Sequence, residues 1–160
     1  MENFSNRLIV VVFAGNYSEY GKSWTKNEAN TVISYHYDCG RARNAWGKPY
    51  GLSHSSYLEF WVRNFSEKFE KDLLRQIHTT EACDYSLLFN VEFDSNQRIS
   101  HFDDCLIVRG YPVDIQEEYY TGADNNNLEG QRIIKVKILL TSINFDAETN
   151  KGLILQISNA

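Results

Sequence analysis

One stretch of this chain has helical periodicity, and it restricts what the rest can be. Within Phe65 to Glu81, the residues Phe65, Phe69, Leu73 and Ile77 recur every four positions, with Leu74 beside them. Side chains spaced in this way line one stripe of a helix. Ser66 stands where an N-cap belongs, and Glu67 and Glu70 place negative charge in the first turn, where the helix dipole favours it. Lys68, Lys71, Asp72, Arg75 and Gln76 join Glu67 on a water-facing side. A helix this short is marginal alone and needs a surface on which to bury its stripe. Five buried apolar side chains offer roughly 1.5–3 kcal/mol each before entropy is subtracted. The expectation is a single helix at about residues 66–80, docked on a body of strands.

The segments on either side supply that body. Aromatic residues make up 14% of the chain, with ten Tyr and nine Phe against two Pro, a balance that favours sheet over helical bundle. Leu8 to Phe13 is apolar without alternation, as expected of a strand covered on both faces. RLIVVVFA superficially resembles the apolar part of a signal peptide, but MENFSNR before it has little positive charge, so it reads as a buried strand. Further strands are expected at Thr31–Tyr37, Ser53–Arg63 and Tyr85–Phe93. Asp94 to Gln97 then turns the chain, and Arg98–Arg109 returns. Gly110 and Pro112 separate off a short strand, Val113–Tyr120. Arg132–Phe145 is long and alternating, and Leu153–Ile157 closes the chain. Gly15–Asn30, with Tyr17, Tyr20 and Trp24, reads as an ordered excursion, and Thr121–Gly130 as a loop. The fold class is therefore mainly β, a barrel or a sandwich of two packed antiparallel sheets with one flanking helix. At 160 residues it fits one domain spanning 1–160.

Cys39 to Leu52, CGRARNAWGKPYGL, departs from both regular periods. It holds three glycines and a proline, and reads as a long irregular loop rather than a tight hairpin. Its Arg41, Arg43, Trp46, Lys48, Pro49 and Tyr50 are the candidate interface residues, because Trp, Tyr and Arg dominate protein contacts. Two readings of Trp46 and Tyr50 stay open here: anchors for a second chain, or side chains packed back on their own body.

No motif points to catalysis. GxSxG, P-loop, GxGxxG and HExxH patterns are all lacking. His36, His54, His78 and His101 lack the spacing of a zinc site, so neither metal nor cofactor is expected. Asp103-Asp104 and Glu117-Glu118 are neighbouring carboxylates that point to opposite sides of a strand, which leaves only one member of each to face the other pair. They read as solvated or hydrogen-bonded edge residues. A net charge of −5 disfavours nucleic acid as a partner, and no segment is long enough to span a membrane. Cys39, Cys83 and Cys105 are odd in number, which suits folding in a reducing, cytoplasmic compartment.

The order strand, long Gly/Pro loop, strand, helix and run of strands resembles the Hcp tube protein of type VI secretion systems, in the Bacteroidetes-type variant called TssD. ISYHYDCGRARNAWGKPYG with SSYLEFWV, DLLRQI with YSLLFNVEF, ISHFDDCLIVRGYPVDIQEEY, and IIKVKILLTSINF carry the likeness, over roughly residues 31–145. Within the third stretch Phe102, Asp104, Cys105, Val108 and Glu118 match the family pattern. The Gly15–Asn30 excursion and the Asn-rich 124–127 loop depart from it. The resemblance implies a β-barrel without a catalytic site, assembling into hexameric rings that stack as a tube. It also implies effector cargo in the lumen, sheath and spike partners, and an extended loop that touches neighbouring subunits. Such a subunit folds in the cytoplasm and is then secreted without a signal peptide. A carbohydrate-binding β-sandwich and a phage-type tail-tube subunit are the alternatives.

Overall fold

The computed structural model describes residues 10–15, 25–26, 30–63, 65–119, 130–145 and 154–156. The strands are β1 (Val10–Ala14), β2 (Asn30–Asp38), β3 (Arg41–Arg43), β4 (Pro49–Leu52), β5 (Tyr57–Arg63), β6 (Cys83–Phe89), β7 (Glu92–Phe93), β8 (Ile99–His101), β9 (Asp104–Tyr119), β10 (Arg132–Phe145) and β11 (Ile154–Gln156). The helix α1 is Glu67–Gln76, between β5 and β6. Most of the expected excursion before Asn30 and of the 121–130 loop, and the outer ends of the first and last expected strands, lie outside the described residues.

Six strands run in the order β10-β5-β2-β1-β6-β9, and the pairing of β9 with β10 closes them into a barrel. Every pairing is antiparallel. β11 takes up the edge of β10 at Ser142–Asn144, beyond the stretch Ile133–Leu139 that β5 occupies. Alternation selects the interior: Leu58, Phe60 and Val62 of β5 face Ile138, Val136 and Ile134 of β10, and all six are buried.

The unbroken apolar run of β1 has a direct cause. Val10 and Val12 enter the barrel core, while Val11 and Phe13 enter a second core with Leu88, Ile99, Phe102 and Cys105. That second core lies under the two-stranded hairpin β7–β8 on the barrel's outside. Both faces of β1 are thus covered, as the sequence indicated, and the run is a buried strand.

The break expected at Gly110 and Pro112 does not occur: β9 is one strand of 16 residues. A Cβ on Gly110 would stand 2.1 Å from the carbonyl oxygen of Leu139, so glycine lets β9 approach β10. Pro112 sits beside a register shift at which Val113 is the extra residue, a place where a missing N–H is tolerated. In β9 the glycine and the proline serve a close approach and a bulge instead of a strand end.

α1 begins as its sequence dictates. The Ser66 hydroxyl accepts a hydrogen bond from the Phe69 N–H at 3.1 Å, and Phe69 and Leu73 are buried in the barrel core. Leu74, counted in the stripe, is half exposed. The regular helix ends at Gln76, with Ile77 as C-cap and three-residue hydrogen bonds in the turn after it. Buried Asn30 fixes the helix start: its Nδ2 donates to the Val12 carbonyl at 3.0 Å, and its Oδ1 accepts from the Ser66 N–H at 2.7 Å. Arg132 donates to Glu70 on the helix at 2.8 Å and to Glu117 on β9. The Tyr85 hydroxyl donates to Gln76, and burial pushes that phenol up from its ordinary range.

Candidate functional site

The segment read as an irregular loop is a β-hairpin arm. β3 and β4 pair as a separate two-stranded ribbon, Ala42 with Tyr50 and Arg43 with Pro49, and Gly51 is the extra residue before Arg41 meets Leu52. The turn is built by Asn44. Its N–H donates to the Lys48 carbonyl at 3.0 Å, its carbonyl accepts from the Gly47 N–H at 2.9 Å, and its Oδ1 accepts from the Trp46 and Lys48 N–H groups at 3.0 Å each. Gly47 has φ +78°, the left-handed residue that follows a type I turn in a three-residue hairpin loop. The signal was present in the sequence as Asn-x-x-Gly. Strands of three and four residues containing Pro and Gly leave no period to read.

Of the six candidate residues, Arg41, Arg43, Lys48 and Pro49 are exposed on the arm, and Tyr50 is half-buried. Trp46, at the tip, is 89% exposed, so it does not pack back on its own barrel. An indole held this far into water is stabilised only by a surface from elsewhere. The arm carries three cations and no carboxylate between Arg41 and Leu52, on a chain of net charge −5. Its root is another matter. Leu52 is 1% exposed in the barrel core, and Ser56, just beyond, is equally buried. Neither stood out in the sequence.

Comparison of the fold with solved structures gives one consistent answer. A crystal structure of an Hcp protein superposes with a TM-score of 0.59 at 6% identity, covering 96% of this chain and 98% of the other. Hcp1 from Flavobacterium johnsoniae superposes at 0.54 and 15% identity, covering 93% and 99%. Hcp1 from Salmonella typhimurium does so at 0.53 and 5% identity, covering 92% and 91%. This chain has the Hcp fold. Sequence comparison finds no match among family models or curated proteins. The likeness is therefore one of backbone topology, which survives when almost every identity is replaced.

On this Hcp-fold scaffold the remaining polar candidates are dispersed. Asp103 accepts hydrogen bonds from Asn90 at 2.6 Å and pairs with His101 at 2.9 Å, and these contacts hold its carboxyl below the usual range. Asp104 accepts from the Cys105 N–H at 2.8 Å. Glu117 binds Arg132, whereas Glu118 lines the outer wall beside Trp61, Ile133 and Lys135. The two pairs lie at opposite ends of the β9 region, so no member of one faces the other across strands. Among the described residues no group of three or more His, Cys, Asp or Glu could hold a metal ion, and no helix is long and apolar enough to cross a membrane. Cys39 and Cys83 are half-buried free thiols and Cys105 is buried. Burial, with Asp38 adding negative charge, pushes the Cys39 thiol up, away from the reactive thiolate. On the outer wall Lys135 lies over Trp61 at 5.0 Å and Lys137 over Tyr57 at 4.6 Å, which covers the half-buried aromatic faces.

Proposed function

We propose that this chain is a structural subunit of a type VI secretion tube. In this reading protomers close into hexameric rings, and the rings stack into a tube that carries effectors or is expelled with them. The observation that carries the reading is the Hcp fold itself, matched over more than nine-tenths of each chain. The arm supports it: Trp46 has no surface on its own protomer, and a head-to-tail contact between identical chains is what generates a closed ring. Trp46 and Tyr50 act as apolar anchors on the neighbour, and Arg41, Arg43 and Lys48 pair with its acidic residues. The subunit has no catalytic role and needs no cofactor. It folds in the cytoplasm, works with sheath and spike proteins, and leaves the cell with the tube.

Light scattering and negative-stain microscopy of the purified chain at high concentration test this directly. Rings, singly or in stacks, are expected. A persistent monomer would overturn the assembly reading, and a monomer that binds glycans would favour a carbohydrate-binding module. Rings found only in particles with a phage-type tail would favour a tail-tube subunit.

A further inference from the structure

We infer that Ser56 is the positioning residue of the arm, the group that sets the direction in which β3 and β4 leave the barrel. The inference rests on the reading above for its consequence in assembly, and on the arm's root for its geometry.

All of the polar atoms of Ser56 are engaged, and they join three separate places in the chain. Its hydroxyl accepts a hydrogen bond from the Gly40 N–H at 3.1 Å and lies 3.4 Å from the Gly40 carbonyl. Its own N–H donates to the Ser53 carbonyl at 3.1 Å, and its carbonyl accepts from the Leu140 N–H at 2.9 Å. Gly40 and Ser53 are the residues flanking the arm on its two sides, and they are joined by the Ser53 N–H to Gly40 carbonyl bond at 2.7 Å. Leu140 belongs to β10, the strand that closes the barrel. One residue therefore ties both feet of the arm to the barrel wall: its backbone holds Ser53 and Leu140, and its hydroxyl alone holds the N–H of Gly40 and approaches the Ser53 hydroxyl at 3.4 Å.

Burial makes that tie specific. Ser56 is 1% exposed, so a hydroxyl removed there would not be replaced by bulk water, and the Gly40 N–H would lose its partner. The fit is close on the other side as well. A Cβ on Gly40 would stand 3.0 Å from the Ser53 hydroxyl oxygen, tighter than ordinary contact, so the root has room for glycine alone without a shift. Within the arm Leu52 is the one fully buried side chain, and β4 comes close to β11 at the arm's base. A long lever carrying Trp46 at its tip converts a small rotation at the root into a large displacement of the anchor.

The test is Ser56→Ala in the full chain, read by amide hydrogen exchange and by ring formation, with Trp46→Ala as the control. In Ser56→Ala, exchange at the Asn44 and Ser53 amides should accelerate at least tenfold while β5, β6 and β10 amides keep their protection, and the rings should be lost. In Trp46→Ala the rings should be lost, with exchange at the same amides remaining at least tenfold slower than in Ser56→Ala. Arm exchange in Ser56→Ala no faster than in Trp46→Ala overturns the positioning role, and so does retention of rings by an arm that has come loose. Intact rings in Trp46→Ala would instead overturn the arm as an interface, while arm exchange still decides what Ser56 does. If Ser56→Ala fails to fold, Gly40→Ala disturbs the same root from the Ser53 side and is held to the same two readouts.

Discussion

Two hairpins of this molecule share a turn and differ in what lies beneath them. In β7–β8, Asp94 takes the part that Asn44 takes in the arm: its N–H donates to the Arg98 carbonyl, its carbonyl accepts from the Gln97 N–H, and its Oδ1 accepts from the Asn96 and Arg98 N–H groups. Gln97, at φ +63°, stands where the arm has Gly47. Each hairpin also carries a one-residue bulge in its returning strand, Ser100 in one and Gly51 in the other. Yet Ile99 is 2% exposed and Phe102 3%, seated against Val11, Phe13 and Leu88, whereas Trp46 is in water. The same local chemistry thus makes one hairpin part of the protomer's stability and leaves the other outside it. A hairpin held by its turn alone is marginal, so the second core keeps β7–β8 in place and the root contacts keep the arm.

The contrast can be broken in three ways. The largest effect is expected from Ile99→Asp, which puts an unpaired charge into the second core. It should cost more than about 3 kcal/mol, or prevent folding, whereas Trp46→Asp should leave the urea midpoint in place. Equal losses would show that the arm belongs to the protomer's core after all. Next, changing Trp46 and Tyr50 together to Ala should abolish rings and move the melting temperature of the protomer by no more than about 2 °C. Anchors of this kind contribute about 2 kcal/mol or more each to an interface. A fall of several degrees with intact rings would place both side chains in the protomer's own packing. The smallest effect concerns the shared left-handed position. Gln97→Gly should relieve strain worth about 0.5 kcal/mol after the glycine entropy is subtracted, a rise of about 1–2 °C in melting temperature. Gly47→Gln should speed exchange at the arm's turn without lowering that temperature, because little of the core depends on the arm.

Where burial imposes a period, the sequence was legible. β5 and β10 alternate because one face is core and the other carries Glu59, Trp61, Lys135 and Lys137, and β1 does not alternate because it lies between two cores. Ser66 was readable as a cap because capping is a local event. The end of α1 was not, because Leu74 and Ile77 continue the pattern although the chain turns away. The turn at Asp94–Gln97 was recognised, and its twin at Asn44–Lys48 was not, since the strands beside it are too short and too exposed to show alternation. The candidate residues of the arm were visible as composition, Trp and Arg in an acidic chain. Ser56 was invisible, because a serine in the run Ser53-His-Ser-Ser56 gives no hint that it lies in the core.

Asn44 also decides how freely the arm can vary. With its one side-chain oxygen it holds two backbone N–H groups, and with its own N–H and carbonyl it closes the loop, so the turn asks nothing of the side chains at Ala45 and Trp46. Whatever occupies those two places is displayed by a backbone that is already satisfied. The residues that build the turn are thereby separated from the residues it displays, so Ala45 and Trp46 can be replaced without unmaking the arm.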